Sequence, residues 1–391
     1  MSLQKATVEQ LNTFARRLFK ANKLPEALHC VKAGLAQNPD HADSLSLRGI
    51  IDICDNRLES AANRFRRVLT IVPDHDEALE HLVKVEGEMT RVKATPYAMA
   101  YVRNQSIYMD YPRNIGIETV GRCNAKCSFC PHGTLDRKYT SMEDDLFDKI
   151  ITDLEKIPTN IPINIFPNLV NEPFMDRKIF SRLQRINKSL PQATLSIFTN
   201  FNVVHKKFFE EFSQIKNIRL VNVSFNSANK EEYEEVMKIN FERTVRNLKT
   251  LMTKNREENF FDGPICLSRV ASLTEADDRF VEECEQVFSD FVPGVDFVAR
   301  VKNRTNWLGE SDVGQSQVPN ELPCNAWFDI NVSCTGMVPH CCMDAKGNYS
   351  IGDVNESSVL EIYNHPKFRF MRERLAVREN VHPCNTCSLL Q

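Results

Sequence analysis

The sequence predicts an α/β fold flanked by two smaller parts, and three observations carry that prediction. Between residues 114 and 301, short β-rich runs alternate six times with amphipathic helical runs, the pattern of βα units around a parallel sheet. Ahead of them lies helical sequence with a 34-residue period, and behind them the last 70 residues hold six of the 13 cysteines. With 391 residues and 42% hydrophobic content, the chain can bury a large core and is long enough for two or three domains.

The period is visible in paired residues. Leu24 and Leu58, Ala27 and Ala61, Pro39 and Pro73, and Leu45 and Leu79 each stand 34 positions apart. That is the length of a tetratricopeptide (TPR) helix pair, which must stack on a neighbour to bury its apolar face. Residues 1–95 thus read as a TPR-like helical domain with two repeats, and Leu11, Phe14, Leu18 and Phe19 supply the last helix of a degenerate one. Such a domain suits either docking of a peptide or protein, or capping of its neighbour. His41 and His75 follow the helix-ending Pro-Asp pairs and read as turn residues, while Cys30 and Cys54 read as helix-core hydrophobes. Residues 96–113 form a tyrosine-rich linker.

Strands are predicted over 115–120, 163–166, 194–198, 220–225, 265–270 and 294–301, with helices between them such as 144–156, 178–189 and 230–253. Just behind the first strand stands Cys123-Asn-Ala-Lys-Cys127-Ser-Phe-Cys130. Disulfides are not expected, because the cysteine count of 13 is odd and no secretory signal is visible. Three thiolates within eight residues, on a loop leaving a strand, can wrap one soft metal centre and leave a coordination position open. Zinc accepts similar spacing but normally draws on two pairs of ligands. A net charge of -3 gives no polyanion-binding footprint, which argues against nucleic acid. No apolar run approaches the roughly 20 residues of a membrane span, and a cytoplasmic, thiol-reducing setting is expected.

Cys123, Cys127 and Cys130, with the aromatic Phe129 before the third, resemble the Cys-x3-Cys-x2-Cys loop of the radical S-adenosylmethionine (SAM) superfamily. The resemblance implies a partial (βα)6 radical SAM barrel over 114–310 and a [4Fe–4S] cluster with one iron left for SAM. It also implies reductive cleavage of SAM to a 5′-deoxyadenosyl radical that abstracts hydrogen from substrate, with an electron donor such as flavodoxin or ferredoxin. Cofactor contacts follow from the same source: Phe129 near the adenine; Glu172 in Asn171-Glu172-Pro173, where the family usually has Gly-Glu-Pro; and Thr199 and Asn200 ahead of Phe201, where Thr-Asn-Gly is usual. Ser224, ending the fourth strand, is a further contact, and Ser268 or Arg269 meets the SAM carboxylate. On the fifth strand Ser268 and Cys266 share a face, while Arg269 takes the other face or the rim. Cys266 is either a hydrogen-atom donor, as in some radical epimerases, or a buried structural thiol. Arg300, Lys302 and Arg304 share one face if the sixth strand runs that far. They are candidates to bind an anionic or polyhydroxylated substrate or act as a base, against a merely solvated face, and Trp307 would wall the pocket.

Over residues 311–391, the runs 326–334 and 337–343 around Thr335-Gly336 read as a β-hairpin, with a helix near 358–376. Cys324…Gly336-x4-Cys341 and Cys384-Asn-Thr-Cys387 resemble the auxiliary-cluster domain behind the radical SAM barrel, called SPASM in its larger form and twitch in its shorter one. The sequence ends four residues after Cys387, as the shorter form would. The resemblance implies one auxiliary [4Fe–4S] cluster on Cys324, Cys384, Cys387 and either Cys341 or Cys342, only one of which should ligate if both lie on a strand. Cys334 is left to pack, and a structural zinc is the rival. A cluster with all positions filled by cysteine is suited to electron transfer. Cys341-Cys342-Met-Asp344 also resembles twitch enzymes that oxidise or epimerise aminocyclitols and sugars. A dehydrogenase or epimerase acting on a small polar substrate is therefore expected. The alternatives are a maturase modifying a ribosomally synthesised peptide held by the TPR-like helices, and a non-catalytic TPR scaffold with structural or sensing clusters.

Overall fold

The computed structural model describes residues 6–55, 57–89, 107–311, 324–373, 378 and 381–388. Residues 96–106 of the expected linker lie outside these. The chain divides into two compact units, Met1–Met109 with Pro366–Ala376, and Asp110–His365 with Val377–Gln391.

In the first unit the 34-residue period becomes a helix period. Helices α1 (Val8–Lys20), α3 (Ala42–Cys54) and α5 (Asp76–Met89) begin 34 residues apart, as do α2 (Leu24–Gln37) and α4 (Leu58–Ile71). Ala27 and Ala61 are fully buried, small enough to let neighbouring helices approach. His41 and His75 serve their turns: each Nδ1 accepts a backbone N–H, from Ser44 at 3.2 Å and from Ala78 at 3.3 Å. Cys30 is buried as expected, but Cys54 is exposed at the end of α3 and is not a core residue.

The second unit is built on a seven-stranded sheet in which every pairing is parallel. Its strands are β1 (Asn114–Ile117), β2 (Ile163–Phe166), β3 (Ala193–Thr199), β4 (Ile218–Ser224), β5 (Ile265–Val270), β6 (Phe297–Lys302) and β7 (Asp329–Val332), in the order β6-β5-β4-β3-β2-β1-β7. The first six are the expected βα strands. The seventh corrects the C-terminal hairpin: β7 runs parallel to β1, from Asn114↔Asp329 to Ile117↔Val332. Met337–Val338 (β8) pairs instead with Gly352–Asp353 (β9), antiparallel. Alternation marks a strand but does not name its partner, and the open edge of β1 offered unpaired backbone groups. The single helix expected near 358–376 is split into Val359–Tyr363 and Pro366–Glu373, because proline starts a helix but does not continue one.

The period of two sorts the strand residues. Ile115, Ile117, Ile163, Ile165, Leu195, Ile197, Val221, Val223, Ile265 and Leu267 are buried in the core shared with the helices. The opposite face is polar. Ser196 Oγ donates to Asn164 Oδ1 at 2.8 Å, Asn164 Nδ2 to Asn114 Oδ1 at 3.2 Å, and Asn222 Nδ2 to Ser268 Oγ at 3.0 Å. Lys302 Nζ of β6 stands 5.5 Å from the Phe198 ring of β3. Those strands are three ladder steps apart, about 14 Å in a flat sheet. The sheet therefore curls, with the polar face inside. Among the described residues no helix is long and apolar enough to cross a membrane.

Candidate active site

Leaving β1, the chain passes Gly121, where a Cβ would stand 2.1 Å from the Arg137 carbonyl oxygen, so only glycine fits. The loop that follows carries Cys123, Cys127 and Cys130, which line a cavity of about 510 Å³ together with Arg122, Lys138, Tyr139 and Met175. All three are free thiols. Burial, then the neighbouring Glu172, pushes Cys123 up to about 12; burial, then Cys130 and Cys123, pushes Cys127 up as well. Three soft donors that feel one another's charge suit a shared cationic centre. Among the described residues no three His, Cys, Asp or Glu side chains are arranged to hold a single metal ion. The three thiols border a cavity with room for a multinuclear cluster.

The predicted partners of this loop come together. Glu172 is fully buried at the β2 side and accepts from Thr199 Oγ1 at 2.6 Å, Asn200 N–H at 2.6 Å and Phe174 N–H at 3.2 Å. Burial raises its carboxyl to about 7 against the pull of these donors. Asn200 Nδ2 donates to Asn124 Oδ1 at 2.9 Å and lies 3.9 Å from Cys123 Sγ. Glu172, Thr199 and Asn200 thus brace the end of β3 against the cysteine loop. Phe201, in the usual glycine place, takes φ +52°. Its ring is buried 6.0 Å from Phe174 and 5.5 Å from Phe208, and that burial offsets a left-handed cost of roughly 1–2 kcal/mol. Phe129 is half-buried, its carbonyl accepting Trp307 Nε1–H at 3.1 Å, and Trp307 and Cys130 both pack against the cluster of Leu135, Val170 and Ala345.

On β4 to β6 the predicted residues divide. Ser224 is half-buried at the end of β4, in register with Ser268, whose hydroxyl donates to the Val223 carbonyl at 3.2 Å. Cys266 is buried on the same face beside Arg300 and Lys302; burial raises its thiol while both cations pull it down. Lys302 Nζ and Arg300 Nη2 both donate to Asn222 Oδ1, at 2.8 and 3.4 Å. Arg269 points to the helix side instead. Its guanidinium is taken up by Asp277 at 2.7 Å, Glu232 at 2.7 Å, Ser272 at 2.8 Å and the Asn226 carbonyl, so it is not presented to a carboxylate on the inner face. Arg304 lies beyond β6, which ends at Lys302, so strand alternation does not place it with the other two cations. Its Nε is buried with no hydrogen-bond partner among the described residues.

The C-terminal cysteines also gather. Cys324, Cys341, Cys384 and Cys387 are buried and Cys342 is half-buried. After burial, Cys341 is raised by Cys342, Cys324 and Cys384, and Cys342, pushed up to about 12, by Asp329 and Cys387. Residues 340–343 form a bend and turn rather than a strand, so alternation does not choose between Cys341 and Cys342. Cys334 lies apart, its Sγ 4.0 Å from the Arg137 carbonyl.

Several organising residues escaped the sequence reading. Glu118, fully buried, accepts from Arg137 Nε at 2.5 Å, Val170 N–H at 3.2 Å and Cys334 N–H at 3.2 Å, while Arg137 Nη1 donates to the Ala345 carbonyl at 2.6 Å. One ion pair therefore ties the first cysteine loop to the C-terminal one. A carboxylate inside an apolar run was the signal for Glu118; Arg137 gave none. Trp327 Nε1 donates to Cys384 Sγ at 3.4 Å, His340 Nε2 is 3.2 Å from the same sulfur, and Asp344 Oδ2 closes the turn by accepting His340 N–H at 3.1 Å.

A parallel α/β sheet with a Cys-x3-Cys-x2-Cys loop behind its first strand, followed by a second thiol set, is the arrangement of a radical SAM domain with an auxiliary-cluster domain behind it. Two family models agree: the radical SAM superfamily over residues 117–280, and SPASM, an iron-sulfur cluster-binding domain, over residues 324–388. The chain thus carries a radical SAM domain, whose cofactors are a [4Fe–4S] cluster and SAM, and a SPASM domain, which adds auxiliary iron–sulfur binding. Among solved structures, Streptococcus suis SuiB bound to precursor peptide SuiA matches with TM-score 0.51 at 15% identity, covering 84% of this chain and 86% of that one. BtrN in complex with AdoMet and 2-DOIA gives TM-score 0.45 at 15% identity, over 71% and 93%. Native anSMEcpe with bound AdoMet and Cp18Cys peptide gives 0.48 at 14%, over 70% and 87%. At 15% identity the likeness to SuiB is one of fold. No curated protein sequence matches the chain.

Proposed function

We propose that the chain is a radical SAM oxidoreductase, a dehydrogenase or epimerase, whose inner sheet face takes a small polar substrate such as a sugar or aminocyclitol. The observation that carries this reading is the polar inner face, where Asn222, Ser268, Arg300 and Lys302 hydrogen-bond in one group beside Cys266. The chemistry supplied by the bound cofactors is reductive cleavage of SAM and hydrogen-atom abstraction. The chain's own residues do the rest. Cys123, Cys127 and Cys130 hold the SAM-binding cluster. Glu172, Thr199 and Asn200 fix the loop that meets SAM, with Phe129, Ser224 and Ser268 as its remaining contacts. Cys324, Cys384, Cys387 and one of Cys341 or Cys342 hold a single auxiliary [4Fe–4S] cluster, a closed site suited to taking an electron from oxidised substrate. In an epimerase, the Cys266 thiol is placed to return a hydrogen atom. We assign residues 114–310 to the barrel, 311–391 to the auxiliary-cluster domain and 1–95 to a TPR-like domain for a protein partner, in a cytoplasmic enzyme fed by flavodoxin or ferredoxin.

A second reading, modification of a ribosomally synthesised peptide, draws on SuiB, whose peptide-bound structure has this fold over 84% of the chain. The test is isotopic. Anaerobically reconstituted protein with dithionite and SAM is expected to release 5′-deoxyadenosine, carrying deuterium when a polyol labelled at its carbinol carbons is present. Deuterium arriving only from a labelled peptide would move the assignment to the second reading, and no 5′-deoxyadenosine at all would leave a scaffold.

A further inference from the structure

We infer that Arg300 and Lys302 form an oxyanion subsite on the inner face, so that the substrate of the proposed oxidoreductase carries a phosphate or carboxylate; this rests on the functional reading above. Two arginines of neighbouring elements have acidic partners: Arg269 pairs with Glu232 and Asp277, and Arg256 with Asp296. Among the described residues Arg300 and Lys302 have none. Both instead donate to one neutral oxygen, Asn222 Oδ1. Two like charges sharing an uncharged acceptor repel each other, and a bound oxyanion relieves that repulsion while taking up their remaining donors.

The chemistry of the pair suits such a ligand. Arg300 offers a planar fork and Lys302 a point charge with three donors, complementary to a tetrahedral phosphate or a planar carboxylate. Arg300 is exposed and Lys302 half-buried, so a ligand can reach them, and Cys266 stands beside both. An anionic group anchored here would bring the neighbouring carbinol carbons over the inner face. Burial and then Arg300 push Lys302 down to about 8, as an unneutralised pair should be.

SAM also carries a carboxylate, and the experiment separates the two sources. The reconstituted holoprotein, with SAM at saturation, is titrated with inorganic phosphate and followed by calorimetry. The expected result is binding that weakens with added salt and falls about tenfold or more in Arg300→Gln and in Lys302→Met, as loss of a charge-assisted hydrogen bond should cause. The dissociation constant for SAM, measured separately, is expected to stay within about twofold, well inside the tenfold that 1.4 kcal/mol represents. Loss of SAM affinity in both variants would assign the pair to the cofactor and overturn the inference. Phosphate that fails to bind the wild type, or binds the variants equally, would leave a solvated edge and overturn it too. The titration reads binding without turnover. A chain that binds phosphate here but releases no 5′-deoxyadenosine therefore loses the functional reading and keeps the subsite.

Discussion

The two cysteine sets use the same donor in opposite surroundings. Cys123, Cys127 and Cys130 are half-buried and border a cavity of about 510 Å³. Cys324, Cys341, Cys384 and Cys387 are buried, and Cys384 has the Trp327 and His340 ring nitrogens against its sulfur. Three thiols at an opening suit the proposed cluster that a ligand must reach; four buried thiols suit the proposed cluster that passes only electrons. The difference teaches that access, and not ligand chemistry, would separate the two proposed tasks.

The largest expected effect tests the open set. In Cys123/Cys127/Cys130→Ala, 5′-deoxyadenosine should fall to background and iron should drop by roughly four per chain, with the second cluster's signal intact. Undiminished SAM cleavage by that variant would end the comparison. Next comes the closed set. After burial and its neighbour Cys342, Cys341 is raised by Cys324 and Cys384, two of the ligand candidates, whereas Cys342, after burial and Asp329, is raised by one of them, Cys387. Cys341→Ala should therefore lose the auxiliary cluster's electron paramagnetic resonance signal and roughly four irons, and Cys342→Ala should keep them. The opposite pattern would exchange their roles.

A smaller effect probes the link between the sets. Removing Arg137 leaves Glu118 charged and buried, which typically costs about 3–5 kcal/mol. Arg137→Met should lower the anaerobic denaturation midpoint accordingly. Adding Glu118→Gln should recover part of the loss, since the uncompensated charge is then gone. Equal stability in all three proteins would show that the two loops are held by other contacts.

Much of this was legible in the sequence. Six strands, their order along the chain and the first cysteine triplet follow from local signals, alternation of period two, turn residues and spacing, while the second cysteine set follows from its resemblance to an auxiliary-cluster domain. What was hidden depends on the partner across space. The run that became β7 has the alternation of a hairpin strand, yet it joins β1, and nothing local distinguishes these outcomes. Arg269 and Ser268 are adjacent in sequence and on opposite faces, and only the acids on the neighbouring helices, Glu232 and Asp277, show that Arg269 is occupied. At Phe201, in a usual glycine place, the backbone cost is local and readable, whereas the aromatic cluster that compensates it is assembled from distant segments, including Phe174 and Phe208.

The smallest effect sharpens the contrast between an open face that keeps unpaired charge and a closed one that does not. Burial and Arg300 lower Lys302 from 10.5 to about 8. Between those values the unfolded chain binds the proton that the folded chain has released, so stability should rise as pH climbs through that window; below it the penalty is constant. Lys302→Met has no such proton. Its melting temperature should exceed that of the wild type at pH 7, and the gap should narrow toward pH 10. Arg300→Gln removes the like charge, so in that variant the rise should shift to higher pH and shrink. Parallel pH profiles for wild type and Lys302→Met would mean that water already screens this pair, and that the inner face is no less solvated than the outer rim.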